Sequence, residues 1–275
     1  MENNSNYWEI TISVTEGEIR EILIAQLAEI GYEAFEESEI DLKAFIPENI
    51  FLEEALVRFL TILNLTYSKS IIKKQNWNLI WEANFEPVQV DDFVGIRAGF
   101  HSPFTNVLHE IVITPKMSFG TGHHATTYLV MQLMRNINFR GESVFDYGTG
   151  TGILAILAEK LGAIIVLAVD NDPWCIENAS ENVSINGCEH IIVNKMDELH
   201  LNQKFNTILA NINRNILIDN IQNIHKALEI NGNLLLSGLL LENESEMVTV
   251  CVALGLVHKQ TVERNGWIAL YFFNP

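Results

Sequence analysis

The stretch Ser143-Val-Phe-Asp-Tyr-Gly-Thr-Gly-Thr-Gly-Ile-Leu-Ala-Ile-Leu-Ala158 carries the residues whose types and spacing could do chemistry. A short apolar run, Val144 and Phe145, reaches an acidic residue, Asp146, and then turns through Gly148, Gly150 and Gly152. The apolar spacing beyond the turn suits a buried helix. Strand, tight turn and helix make the first half of a nucleotide-binding βαβ unit. Glycine permits positive φ and removes the Cβ that would hold a ligand away from the backbone. The helix that follows points its free N–H groups at whatever sits on the turn.

The spacing is G-x-G-x-G, not the G-x-G-x-x-G of dinucleotide sites. About 20 residues further on, the apolar run Ile164–Val169 ends in Asp170. A carboxylate at the tip of a second strand is placed to accept both hydroxyls of a ribose. Turn, spacing and Asp170 together point to an adenosyl ligand that lacks a pyrophosphate, which is S-adenosylmethionine. The competing readings are a glycine-rich turn that binds nothing and a nicotinamide oxidoreductase, which the glycine spacing opposes. A module that keeps the fold but has lost its chemistry is a third.

Other polar residues fall at strand ends and in the loops beyond them, where α/β sheets place ligands. Phe205 to Ile212 reads as a strand whose carboxyl tip carries Asn211. An Asn amide offers a donor and an acceptor, so Asn211 either orients an amine, touches the methionine part of a cofactor, or closes an Asx turn. The loop Met117-Ser-Phe-Gly-Thr-Gly-His-His-Ala-Thr-Thr127 runs into a helix. There Thr126 or Thr127 either caps the helix or reaches the ligand from across the cleft. Met117 and Phe119 either cover an adenine or pack a core. His123 and His124 are adjacent, not at the i, i+4 spacing of a helical metal site, and read as polar loop residues; no metal is expected. Asp172 either caps the next helix, which is the favoured reading, or contacts the ligand, with Pro173 in the first turn of that helix. Asp197, beyond the third strand, could meet an adenine amino group.

Stepping along the chain, 7–14 alternates as a strand and 16–30 carries Ile19, Ile22, Leu23, Leu27 and Ile30 at helical spacing, closed by Gly31. Strands at 32–35 and 42–46, a helix at 48–63 and a strand at 67–72 complete a β-α-β-β-α-β order, the pattern of a small ferredoxin-like α+β domain. The expected division is 1–74 for that N-terminal domain, 75–100 for a linker and 101–275 for the larger domain, with short strands around Val88 to Val90, Val94 to Ala98 and Glu110 to Ile113. In 76–87, Trp77, Trp81 and Phe85 fall at i, i+4, i+8, one face of a short helix expected to pack the domains together. The larger domain reads as alternating strands and helices, α/β and Rossmann-like. Its helix 214–229 leads to a strand at 233–240, and its end is a hairpin turning at Asn265-Gly266.

Hydrophobic residues make up 48% of the 275, enough for a sizeable core, and the formal net charge is −18, with Lys+Arg 17 against Asp+Glu 35. So acidic a surface repels phosphate backbones and attracts a basic protein. Stable nucleic-acid binding is not expected. Three well-separated cysteines, Cys175, Cys188 and Cys251, suggest neither a disulfide framework nor a zinc site and fit a reducing cytosol. The N-terminus is polar, without an apolar signal region, and no uncharged apolar run approaches the ~18 residues of a membrane span. The expectation is a cytoplasmic monomer.

Nearly the full length resembles ribosomal protein methyltransferases of the PrmA type, whose substrate is ribosomal protein L11. The loop 117–127 resembles the family's F-G-T-G-T-H-P-T-T loop, and Asp146 to Ala155, Val169 to Pro173, Ala210 to Ile212 and Leu236 to Leu240 also match. The resemblance implies a seven-stranded class I methyltransferase sheet with an antiparallel C-terminal hairpin, and a recognition role for the N-terminal domain. It implies transfer of methyl groups from S-adenosyl-L-methionine to lysine or N-terminal amines of a basic ribosomal protein. Another protein or a small amine is the alternative acceptor. Cofactor contacts are implied at Thr127, Gly148, Asp170 and Asn211, with Gly150 in the same turn, and Asn211 is the candidate to orient the amine. His124-Ala125 replace the family's usual His-Pro, and Asn213-Arg-Asn follow Asn211 where the family often has Gly-Pro.

Overall fold

The computed structural model describes residues 6–15, 17–38, 40–72, 85–116, 121–199 and 201–275. The chain divides into two compact units, Met1–Ile80 and Trp81–Pro275.

In the first unit, β1 (Tyr7–Ser13), α1 (Gly17–Glu29), β2 (Ala34–Glu37), β3 (Asp41–Pro47), α2 (Glu53–Ile62) and β4 (Tyr67–Ile72) follow one another. The sheet has the order β2-β3-β1-β4 and every pairing is antiparallel. Period-2 alternation puts Ile10 and Ile12 of β1 and Leu42, Ala44 and Ile46 of β3 on one face. They are buried there with Leu23 and Leu27 of α1 and Leu56 and Leu60 of α2. The second helix starts at Glu53, not at residue 48. Its first turn carries Glu53 and Glu54, which favour the positive end of the helix dipole, whereas 48–52 form a turn and an extended N-cap. Tyr32 lies outside the strand expected at 32–35 but inside the core, because Gly31 takes φ +98 and ends α1 just before it.

The second unit opens with a three-stranded sheet, β5 (Val88–Val90), β6 (Val94–Ala98) and β7 (His109–Ile113). Residues 85–100, expected as part of a linker, are core instead: Phe85, Val90, Phe93, Val94, Ile96 and Ala98 are all buried in one apolar cluster with α3 (Ala125–Met134). The short strands expected at 88–90, 94–98 and 110–113 are all present; what the linker expectation missed is that the first two are buried against later elements. Trp77 and Trp81 of the expected aromatic helix lie outside the described residues, as do Met117 and Phe119.

The large sheet is built from β8 (Ser143–Tyr147), α4 (Ile153–Lys160), β9 (Ile165–Asp170), α5 (Pro173–Ile185), β10 (Ile191–Lys195) and β11 (Phe205–Asn211). It is completed by α6 (Arg214–Lys226), β12 (Leu228–Leu240), α7 (Glu244–Ala253), β13 (Val257–Arg264) and β14 (Trp267–Phe273). Its order is β10-β9-β8-β11-β12-β14-β13. The first five strands in that order are parallel, and β14 and β13 close the sheet as an antiparallel hairpin. The hairpin turn needs φ > 0 at both central residues, which Asn265 (φ 55) and Gly266 (φ 79) supply. Helix α6 ends at Lys226, three residues earlier than the spacing suggested, because Leu228 already pairs with Phe205. Among the described residues no helix is long and apolar enough to cross a membrane.

Asn182 on the buried stripe of α5 and Asn186 at its C-cap tie the two sheets of this unit together. The Asn186 amide exchanges two hydrogen bonds with the backbone of Val112 in β7, at 3.0 and 2.6 Å. Asn182, fully buried, accepts from the Thr114 N–H at 2.8 Å and donates to the Thr151 carbonyl, inside the glycine turn, at 2.8 Å. Asn182→Leu strips partners from two backbone groups at once. It is expected to cost about 2–4 kcal/mol in urea unfolding; an unchanged midpoint would show that the clamp carries no energy.

Candidate active site

Progress through the parallel strands runs outward from β8 to β9 and β10 on one side, and from β11 to β12 on the other. The order reverses between β8 and β11, and open α/β sheets form their crevice at such a reversal. A cavity of about 860 Å³ opens there. Thr127, Gly148, Gly150, Asp170 and Asn211 all line it, as do Asp172 and Asp197. Residues spread over 84 positions of sequence are thus brought to one place: the Asn211 amide donates to the Thr127 hydroxyl at 3.4 Å.

The glycine turn is latched to the tip of β9. The N–H groups of Gly148 and Thr149 both donate to the Val169 carbonyl at 2.9 Å, and the Gly150 N–H donates to Asp170 Oδ2 at 2.9 Å. The other oxygen of Asp170 accepts from the Asp172 N–H at 3.0 Å. A Cβ at Gly148, which has φ +78, would run into the Ile212 side chain. On the other side of the same residue, Gly238 (φ +83) makes a bulge in β12, and a Cβ there would run into the Ile212 backbone. The tip of β11 is therefore clamped between two positions that only glycine fills without strain, and this clamp sets where Asn211 stands.

The loop before α3 differs from the threonine-cap reading. The N-cap is His124, whose Nδ1 accepts from the Thr126 N–H at 3.4 Å and lies 2.7 Å from the Thr126 hydroxyl. Thr127 is thereby free of capping duty and faces the cavity. His123 packs edge-on against Phe85 at 5.0 Å between ring centroids. Among the described residues no group of three His, Cys, Asp or Glu side chains could hold a metal ion. Asp172 caps α5 through the Trp174 N–H at 2.9 Å, with Pro173 in the first turn.

Trp267 and Gly238 also line the cavity and escaped the sequence reading. Trp267 stands edge-on to His124, with ring centroids 4.7 Å apart. Its place follows from the pairing of Trp267 with Leu240 across β14 and β12, which no local pattern reveals. Cys175 lines the cavity too, but burial, aided by the charges of Asp170 and Asp172, pushes its thiol up to about 12, so it is no nucleophile near neutral pH.

Beneath the turn sits Asp146, 1% exposed. Its Oδ2 accepts from the Thr149 hydroxyl at 2.6 Å, while Oδ1 makes no hydrogen bond. Burial, with a smaller push from the Asp170 charge, raises its carboxyl to about 7; the Thr149 hydroxyl and the nearby Ala155 N–H oppose the shift. A raised folded-state pKa means that the native protein holds this proton more tightly than the unfolded chain. The group therefore favours folding least above its folded pKa, and stability drains away as pH rises from about 4 to about 7. Relative to Asp146→Asn, wild-type unfolding free energy is expected to fall by the order of 4 kcal/mol across that window. Denaturation of both proteins at several pH values checks this; parallel pH profiles would show that folding leaves the Asp146 pKa unshifted.

Comparison with known proteins places this geometry. The model of the family described as ribosomal protein L11 methyltransferase (PrmA) matches residues 7–274. The ribosomal protein L11 methyltransferase of Porphyromonas gingivalis is 42% identical over 260 residues, covering 92% of this chain and 90% of the relative. That of Phocaeicola vulgatus is 34% identical over 262 residues, covering 92% and 93%. Among solved structures, the ribosomal protein L11 methylase of Lactobacillus delbrueckii subsp. bulgaricus is 29% identical, with a TM-score of 0.64, covering 68% of this chain and 98% of that one. With a family match over almost its whole length and relatives this similar, the chain belongs to the ribosomal protein L11 methyltransferase (PrmA) family.

Proposed function

We propose that this chain is a cytosolic enzyme that moves methyl groups from S-adenosylmethionine to amino groups of ribosomal protein L11. The observation that carries the reading is the convergence of Thr127, Gly148, Gly150, Asp170 and Asn211 on one cavity at the reversal of the sheet, in a chain of this family. On this reading the seven-stranded sheet is that of a class I methyltransferase. The first unit is a ferredoxin-like module that recognises the protein substrate, and the acidic chain, at −18, favours a basic partner.

The donor set fits the cofactor. A carboxylate has about four acceptor sites, and the two backbone N–H groups on Asp170 leave room for both hydroxyls of a ribose. Gly148 and Gly150 let that ribose and the amino-acid end lie close to the backbone. Asp197, beyond β10, is the candidate to meet the adenine amino group; its carboxylate pairs with Lys195 at 2.9 Å. When bound, the cofactor supplies a methyl already activated on a sulfonium, so the protein's task is alignment.

Asn211 performs the alignment on the acceptor side. Its amide nitrogen is committed to Thr127, which leaves the carbonyl oxygen to accept from a neutral amine and turn its lone pair. A free lysine has a pKa of about 10.4 and is almost wholly protonated at neutral pH. The apolar walls offered by Ile212, Tyr147 and Trp267 disfavour the ammonium form and lower that barrier.

Asp170→Ala is expected to weaken S-adenosylmethionine binding roughly 30-fold or more, about 2 kcal/mol; near-normal affinity by calorimetry would count against the ribose role. Asn211→Ala is expected to lower the rate of methylation by about 100-fold through loss of alignment. The decisive assay is mass spectrometry of ribosomal proteins incubated with enzyme and isotopically labelled cofactor. Label on other proteins but not on L11 would overturn the substrate assignment.

A further inference from the structure

The cavity extends beyond the strand tips. Its lining includes Ile216, Asn220 and Asn223 of α6. They fall at i, i+4 and i+7, one face of a helix, and at 1.5 Å per residue they span about 10 Å. Because β11 and β12 are parallel and α6 connects them, α6 runs back from the tips along the sheet. Its buried stripe, Leu217, Ile221 and Ile224, faces the core, so the cavity-facing row is a separate one.

The sheet topology explains why this space is open. The connections β8–β9, β9–β10 and β11–β12 each carry a helix. The connection β10–β11 carries none among the described residues, so loop residues stand where a helix would pack beside α6. From that loop, Met196 and Leu199 line the same cavity as the α6 row. Leu199 is 5% exposed and gives an apolar floor, whereas Ile216 is 38% exposed. Asn220 donates to the Ile216 carbonyl at 2.9 Å and keeps its own carbonyl oxygen open; the Asn223 side chain makes no hydrogen bond among the described residues. The side chain of Asp197, which the proposed function sets against the adenine amino group, is 69% exposed. Among the described residues, that end of the cavity is therefore open to solvent at Asp197.

We propose that this trough along α6 is a second compartment of the cofactor cavity, able to take an apolar or aromatic substituent carried on the exocyclic nitrogen of the adenine. The inference rests on the proposed placement of the ribose at Asp170 and the adenine near Asp197. Leu199, Met196 and Ile216 offer the substituent an apolar bed, and the amides of Asn220 and Asn223 form a polar rim.

The test is binding, not turnover. Adenosylhomocysteine and its N6-phenethyl derivative are titrated into the full-length protein by calorimetry. The derivative is expected to bind within about tenfold of the parent. Asn220→Trp, which fills the trough from the helix side, is expected to weaken the derivative at least about tenfold more than the parent. A derivative about 100-fold weaker than a parent that binds well would overturn the compartment and leave the cofactor reading intact. Equal effects of Asn220→Trp on both ligands would likewise overturn it. A parent that fails to bind at all would bring down the cofactor reading, and the compartment with it.

Discussion

The structure of the site depends on one latch, the hold of the second parallel strand on the glycine turn that follows the first. A run of left-handed glycines has little conformational preference of its own and loses more entropy on ordering than any other residue type. Here the cost is met from outside the turn. The Val169 carbonyl takes two of its N–H groups and the Asp170 carboxylate takes a third. The carboxylate proposed to grip the sugar is thus also the one that holds the backbone the sugar must approach. The position of Asn211 follows from the same economy, since the Ile212 beside it is wedged between Gly148 and Gly238.

Which features were legible in the sequence follows from how local their causes are. The turn, Asp170 and Asn211 could be read because each sits at the end of its own apolar run. The hairpin could be read because Asn-Gly carries its backbone conformation with it. Residues 85–100 were legible only in part: the short strands at 88–90 and 94–98 could be read, but not that Val90, Val94 and Ile96 are fully buried, because that burial depends on β7 and α3, which come later in the chain. Asn182 was hidden for a different reason. A polar residue on a buried stripe looks like a break in the pattern until the backbone groups it satisfies, at Thr114 and Thr151, are known. Trp267, Gly238 and the outer row of α6 depend on which strands are neighbours, and no residue pattern states that β14 inserts between β12 and β13.

Charge in the second unit is handled in two opposite ways. At the surface, carboxylates are kept ionised by partners: Arg97 and the Phe104 N–H hold Glu110 below its ordinary range, and Lys116 with Thr114 does the same for Glu181. Beneath the turn, Asp146 has a hydroxyl and little else, and its raised pKa records that shortage. A neutral carboxyl there avoids setting a second negative charge close to Asp170 in a dry environment, where repulsion is strongest.

The pairing of β14 has a consequence for how the protein assembles. Strand β13 is made first but has no neighbour in the sheet until β14 has inserted between it and β12. That insertion must reach across α7 and β13, a long-range closure of the kind that slows folding. Until it occurs, Ile268, Leu270 and Phe272 are missing from the core and Trp267 from the cavity lining. Completion of the sheet and of the cavity lining therefore depends on one insertion, and a chain lacking it would display an unpaired β12 edge to other chains.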